Sequence, residues 1–194
     1  MQSYEVTDEM MEQRRKLTAE IDTFLRQTRG WSPSIDDGTV TAIHRVRQDT
    51  WVCTSLSLGN PGPRGGQGMF HTVLYKLEWT TPRRSATENT TRQVRSRSER
   101  RQDMLVKAHK LSSVWLFVDV EEDVISISTP VDLRTSDPMR VVEIALEHHL
   151  AEINFMHIAH HVLLGSGGIR LQAFTREELE AGLIALRGQG KEDI

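Results

Sequence analysis

Five of the eight histidines of this chain fall within fourteen residues: His148, His149, His157, His160 and His161. Imidazoles in such a cluster can ligate a metal or change charge near neutral pH, so their spacing has to be tested first. His157 and His161 stand four apart on one helical face, a spacing that can hold zinc. The helical zinc-protease pattern needs a glutamate directly after the first histidine, and position 158 is Ile158. A structural zinc site draws mostly on cysteines, and Cys53 is the only one in the sequence. His149 and His160 share a face about three turns apart, too far to bind one ion together. Glu152 can pair with His148 or His149. The expectation is structural and solvated histidines, with no metal, no cofactor and no catalytic residue.

Other candidate chemistries are weaker. The loop 59–68 holds five glycines and two prolines, but it lacks the lysine and hydroxyl ending of a phosphate loop and runs into a strand. Gly165-Ser-Gly-Gly168 follows a helix and reads as its stop. No nucleophile elbow is present. The acidic run Glu121-Glu122-Asp123 reads as a turn.

Charge is segregated. Residues 83–110 hold nine Lys/Arg against three Asp/Glu, a net of +6, which leaves −9 for the rest of a chain whose total is −3. Arg83, Arg84, Arg92, Arg95, Arg97, Arg100 and Arg101 lie among serines and threonines, the composition of a basic linker over about 80–100 that could neutralise phosphates. No aromatic interleaves them, so base stacking is not supported.

The elements that must position these residues follow from periodicity. Residues 6–28 read as an amphipathic helix capped by Thr7 or Asp8 and stopped by Gly30. Residues 31–38 read as loop. Thr39–Arg47, Trp51–Leu58 and Met69–Trp79 read as strands, and a helix is expected at about 92–111. Val114–Val120 and Val124–Ser128 form a hairpin, and the apolar run Val114–Val118 places its first strand centrally in the sheet. Asp137-Pro138 opens a long helix that runs to Leu164. On its wheel Glu143, Glu147, Asn154, His157 and His161 form the solvent stripe, and the apolar remainder is core. Thr175-Arg-Glu-Glu178 is a capping box for a C-terminal extension helix over 175–187.

The fold class is therefore α+β: one domain over 1–194, an antiparallel sheet of about five strands flanked by helices in the order α-β-β-β-α-β-β-α-α. Over about residues 6–164, and most of all at Val114–Leu164, that order resembles the class I type III secretion chaperones. The resemblance implies a non-catalytic homodimer that binds an extended segment of a partner through apolar surface. Trp51, Phe70 and Leu74 are the expected protein-binding residues, on a sheet side left uncovered by helices. A single cysteine and no basic-then-apolar leader after Met1 point to the cytoplasm.

The expected function is a non-enzymatic chaperone or adaptor. Two alternatives stay open: a nucleic-acid-associated or viral-type assembly protein using the arginines of 83–101, and a metal-dependent enzyme on the histidine-rich helix.

Overall fold

The structure, a computed structural model, describes residues 7–48, 50–59, 66–79, 99, 102, 115–119, 124–164 and 169–189. Its first element is helix α1, Asp8–Arg29. Thr7 caps it, its hydroxyl oxygen 3.3 Å from the Met10 N–H. Gly30 ends it in the left-handed region, with φ 64°, donating to Arg26 while Trp31 donates to Leu25. Asp8 and Glu9 in the first turn and Arg26 and Arg29 in the last complement the helix dipole.

Seven strands form one antiparallel sheet: β1 Ser34–Asp36, β2 Thr39–Arg47, β3 Thr50–Leu58, β4 Gln67–Trp79, β5 Trp115–Asp119, β6 Val124–Asp132 and β7 Ile169–Ala173. The spatial order is β1-β2-β3-β4-β6-β5, with β7 also on β4. Helix α2 spans Pro138–Leu164 and helix α3 spans Arg176–Gln189. The expected fold class and order hold, with two short strands added.

One addition is β1. Asp36 pairs with Thr39 across the two-residue turn Asp37-Gly38, both left-handed at φ 36° and 71°. Asp-Gly suits this hairpin turn, whose twist matches the flanking strands. The other addition is β7. Tyr75 and Lys76 pair with β6 on one edge of β4 and with β7 on the other, so β7 occupies the edge that β3 uses earlier along the strand. Trp51, near the start of β3, bridges to Phe174 just beyond β7.

The strand β5 closes the sheet order instead of lying inside it. An apolar run reflects what covers a strand's two faces and not what pairs at its edges, and among the described residues β5 pairs with β6 alone. The expected helix at about 92–111 and the acidic turn 121–123 lie outside the described residues, except that Glu99 and Gln102 are helical.

Alternate residues of β2, β3, β4 and β6 point to one face, where α1 and α2 cover them. One cluster packs Ile21 and Leu25 of α1 and Leu146 of α2 against Val40, Leu56, Phe70 and Val131. The other packs Ile153 and Met156 of α2 against Val52, Leu74, Tyr75, Leu77, Ile125 and Ile127. A register shift between Val73 and Tyr75 marks a bulge in β4. Leu74 and Tyr75 are both buried there, at 0% and 6% exposure, so the bulge turns Tyr75 and Leu77 onto the core face. Strict alternation along β4 would place them opposite Leu74.

Both later caps form as expected. The Asp137 carboxylate accepts from the Arg140 N–H at 3.0 Å, with Pro138 in the first turn. At α3 the Thr175 hydroxyl accepts from the Glu178 N–H at 3.2 Å and the Glu178 carboxylate accepts from the Thr175 N–H at 2.9 Å. Among the described residues, no helix is long and apolar enough to cross a membrane.

Candidate functional site: a buried histidine–threonine chain and an exposed helix face

Small hydroxyls stand where alternation calls for apolar residues. Thr54, Thr72 and Thr129 point from β3, β4 and β6 to the core face, His44 does so from β2, and His149 descends from α2; all five are buried. A buried polar group needs a partner, and here each finds the next. Thr129 Oγ1 lies 2.8 Å from His149 Nδ1, and His149 Nε2 lies 2.7 Å from Thr72 Oγ1. Thr72 Oγ1 lies 2.6 Å from Thr54 Oγ1, which is 2.8 Å from His44 Nε2. The His44 ring stacks on Trp31 at 3.8 Å and 11°, and the His149 ring stacks on Phe70 at 5.5 Å.

Each hydroxyl has one proton to donate, and a neutral imidazole donates from one nitrogen only. All four contacts can be satisfied with both rings neutral: if His149 donates from Nδ1 to Thr129, every proton must run from His44 toward Thr129, whereas if it donates from Nε2 to Thr72, three arrangements of the remaining protons are open. Burial pushes the His149 pKa down to about 3, with the charges of His71, His44 and His148 acting in the same direction. Burial likewise pushes His44 down to about 4. Both rings are therefore neutral at pH 7. The chain has no open side for a substrate, and its chemistry is that of a structural pin across four strands and a helix.

A second buried pair joins the same layers. The Tyr75 hydroxyl meets His157 Nδ1, with the rings edge to face at 4.9 Å. Burial raises the Tyr75 pKa to about 12. His157 is 4% exposed, which corrects its expected place on the solvent stripe. The cause is the bulge at Leu74, which brings a phenol under α2. His149 is packed, as expected. His148 is exposed and faces Glu152 at 3.8 Å, the pairing read from the sequence. The side chains of His160 and His161 lie outside the described residues.

On the opposite sheet face His71 Nδ1 lies 2.9 Å from Ser128 Oγ, and burial lowers the His71 pKa. A serine beside an imidazole suggests a nucleophile. Ser128 is only 3% exposed, however, and its backbone belongs to a ladder between His71 and Trp115, with no free N–H beside it for an oxyanion. Burial raises the nearby Cys53 thiol to about 11, the opposite of an activated nucleophile. Among the described residues, no three His, Cys, Asp or Glu side chains are placed to hold a metal.

The expected apolar patch is not a patch. Phe70 is 2% exposed and Leu74 0%, both under α2. Trp51 is half-buried on the other face, where the Arg176 guanidinium lies 5.2 Å above its ring and fixes α3. The three side chains are not brought together, because Trp51 points to the opposite face of the sheet from Phe70 and Leu74, which helices cover. Arg83, Arg84, Arg92, Arg95, Arg97, Arg100 and Arg101 lie outside the described residues.

Exposed apolar surface occurs instead on α2. Its outward side carries Arg140, Ile144, Glu147, His148, Ala151, Asn154 and Phe155. Ile144 is 56% exposed and Phe155 39%, although the wheel assigned both to the core. Their spacing, with Ala151 between them, is the only sequence signal that could have found this stripe. Residue type hides it, because isoleucine and phenylalanine count as core on the helical wheel. Beside it a groove between α1 and α2 is lined by Lys16, Phe24, Gln27, Met139 and Glu143. Comparison of the chain with protein families, with curated proteins and with solved structures gives no match.

Proposed function

We propose that this chain is a non-enzymatic protein-binding module of chaperone or adaptor type, acting in the cytoplasm through the outward face of α2. The observation that carries this reading is the exposure of Ile144 and Phe155 on a helix that buries Val142, Leu146, Ile153 and Met156 on its other side. Large apolar side chains on one exposed stripe favour a partner surface. The pairing of the buried histidines with threonine and tyrosine hydroxyls speaks against catalysis. The order of elements, similar to that of the secretion chaperones, supports the same reading.

The test is retention of partners from the native cell, identified by mass spectrometry, by the wild-type chain and by the Ile144→Glu/Phe155→Glu variant. Partners held by the wild type and lost by a variant with an unchanged unfolding midpoint support the reading. An unchanged set of partners would sink it.

A second reading, polyanion binding through Arg83–Arg101, is favoured by the +6 charge of residues 83–110 against −9 elsewhere. It requires binding to labelled RNA or DNA that weakens steeply with salt and is lost when Arg95, Arg97, Arg100 and Arg101 become alanine.

A further inference from the structure

On the sheet face opposite α1 and α2, two aromatic rings stand between two cations. Alternation along β2 and β3 puts Arg45 and Trp51 on that face. Beyond the bulge in β4, Lys76 points away from the buried Tyr75 and Leu77 and so shares it. Arg45 is the direct register partner of Trp51, and on the other edge of β3 Trp51 bridges to Phe174. Directly paired residues share a face, with Cβ atoms about 5 Å apart. The Lys76 ammonium lies 5.1 Å from the centre of the Phe174 ring and closes the row. Arg45, Trp51, Phe174 and Lys76 therefore follow one another across the sheet.

Helix α3 holds this row with a single turn. The Arg176 guanidinium lies 5.2 Å above the Trp51 ring, the Glu178 carboxylate pairs with Lys76, and Leu179 is buried. Past that turn the grip weakens: Leu183 is half-buried and Ile184 is 69% exposed. A helix as short as α3 is marginal in water without a packing surface, so its docking and its folding are coupled. The row also has capacity that α3 leaves unused. Arg45 is exposed, and among the described residues no carboxylate pairs with it; its Nε donates to the Arg47 carbonyl at 3.0 Å.

We propose that this row is a docking site for the acidic first turn of a partner protein's helix, and that α3 is its resident occupant, displaced when the partner binds. The pattern to be recognised is the one α3 presents: a carboxylate for Lys76, followed directly by a large apolar side chain in the place of Leu179. The partner supplies a further carboxylate for Arg45, which α3 leaves unmatched. The site lies across the sheet from the α2 stripe, so the proposal goes beyond the reading given above. A covered site binds only in the fraction of molecules whose α3 is released, and the apparent affinity falls by that fraction. Helix α3 is thus an autoinhibitory strap.

The test uses the full chain and a fluorescein-labelled synthetic peptide with the sequence of residues 173–189, followed by fluorescence anisotropy. Leu179→Ala loosens the resident helix and should bind the peptide at least about tenfold more tightly than the wild type does. Adding Lys76→Glu should abolish that binding, and a peptide carrying Leu179→Ala should not bind. Should Leu179→Ala fail to fold, Arg176→Ala/Glu178→Gln loosens the strap without opening a cavity and takes its place. No saturable binding to either loosened chain, equal binding to wild-type and loosened chains, or binding indifferent to Lys76→Glu overturns the proposal. A loosened chain that takes up labelled single-stranded DNA and not the peptide overturns it as well. Retention of partners through Ile144 and Phe155 is a separate measurement, and the reading it tests survives any of these failures.

Discussion

His149 Nε2 lies 2.7 Å from Thr72 Oγ1, joining the middle of α2 to the central strand β4 across 77 residues of sequence. This contact aligns the long helix on the sheet, and both atoms are buried. Thr72→Val keeps the shape but orphans His149 Nε2 and one side of Thr54. The expected loss is about 1–3 kcal/mol in urea unfolding. Replacing His149 by Leu in the same chain should cost less than the sum of the two single substitutions, because the orphaned nitrogen is removed with it. Strict additivity would show that the chain is not coupled.

The buried histidines set a pH dependence. His149 and His44 are held near 3 and 4, below the ordinary value of about 6.5. A lowered histidine pKa means that the unfolded chain takes up the proton first. Their contribution to stability is therefore complete above about pH 6.5 and is lost as pH falls toward the folded values. With two such groups the slope reaches about 3 kcal/mol per pH unit in the middle of that window. Protonating His149 breaks no hydrogen bond, since its threonine partners can both accept; the cost is the buried charge. Unfolding midpoints measured from pH 7 to pH 5 should fall steeply, and His149→Leu should flatten the fall. A flat wild-type profile would contradict the burial of neutral rings.

Two glycines separate backbone strain from steric contact. Gly30 and Gly38 both have positive φ, but a Cβ on Gly30 meets nothing within 4 Å, whereas one on Gly38 would lie 2.3 Å from the Arg14 guanidinium. That guanidinium also donates to the Asp37 carbonyl at 2.7 Å. Gly30→Ala should cost about 1 kcal/mol from backbone strain alone. Gly38→Ala should cost more, and Arg14→Ala should recover part of the difference. Equal costs in thermal unfolding would refute the contact.

Helix α3 is held by few contacts. Leu179 is buried at 7% exposure, Glu178 pairs with Lys76, and Arg176 covers Trp51. Arg176→Ala should cost about 0.5–1 kcal/mol, and Leu179→Ala about 2–4 kcal/mol. Limited proteolysis should cut within residues 176–189 of the Leu179→Ala variant before the rest of the chain. Uniform digestion would show that α3 is not a separate unit.

What the sequence revealed and what it hid follow from the range of the interactions involved. Caps act over four residues, so Thr7, Asp137 and the Thr175–Glu178 box were readable, as were β2, β3 and β4 from their β-prone runs. Strand β1 has only three residues, too few for a period, and only Asp37-Gly38 signalled it. Strand β7 exists because β4 offers an edge nearly a hundred residues earlier. The bulge at Leu74 reversed the facing of Tyr75, and that reversal buried His157. Thr54 and Thr72 read as ordinary strand formers, because nothing local says that a histidine from α2 will reach Thr72. The exposed Ile144 and Phe155 were hidden for the complementary reason, since residue type alone assigned them to the core.

The place of β7 on β4 also bears on the order in which the chain can assemble. Its slot exists only where β3 has left β4, and its five residues find no hydrogen-bonding edge until β4 is in place with β6. Strand β7 and α3 should therefore dock last during folding and open first in the native state. Amide hydrogen exchange should report this as a gradient, with residues 169–173 exchanging through small local openings. Residues 125–128, buried between β4 and β5, should exchange only when the whole sheet comes apart.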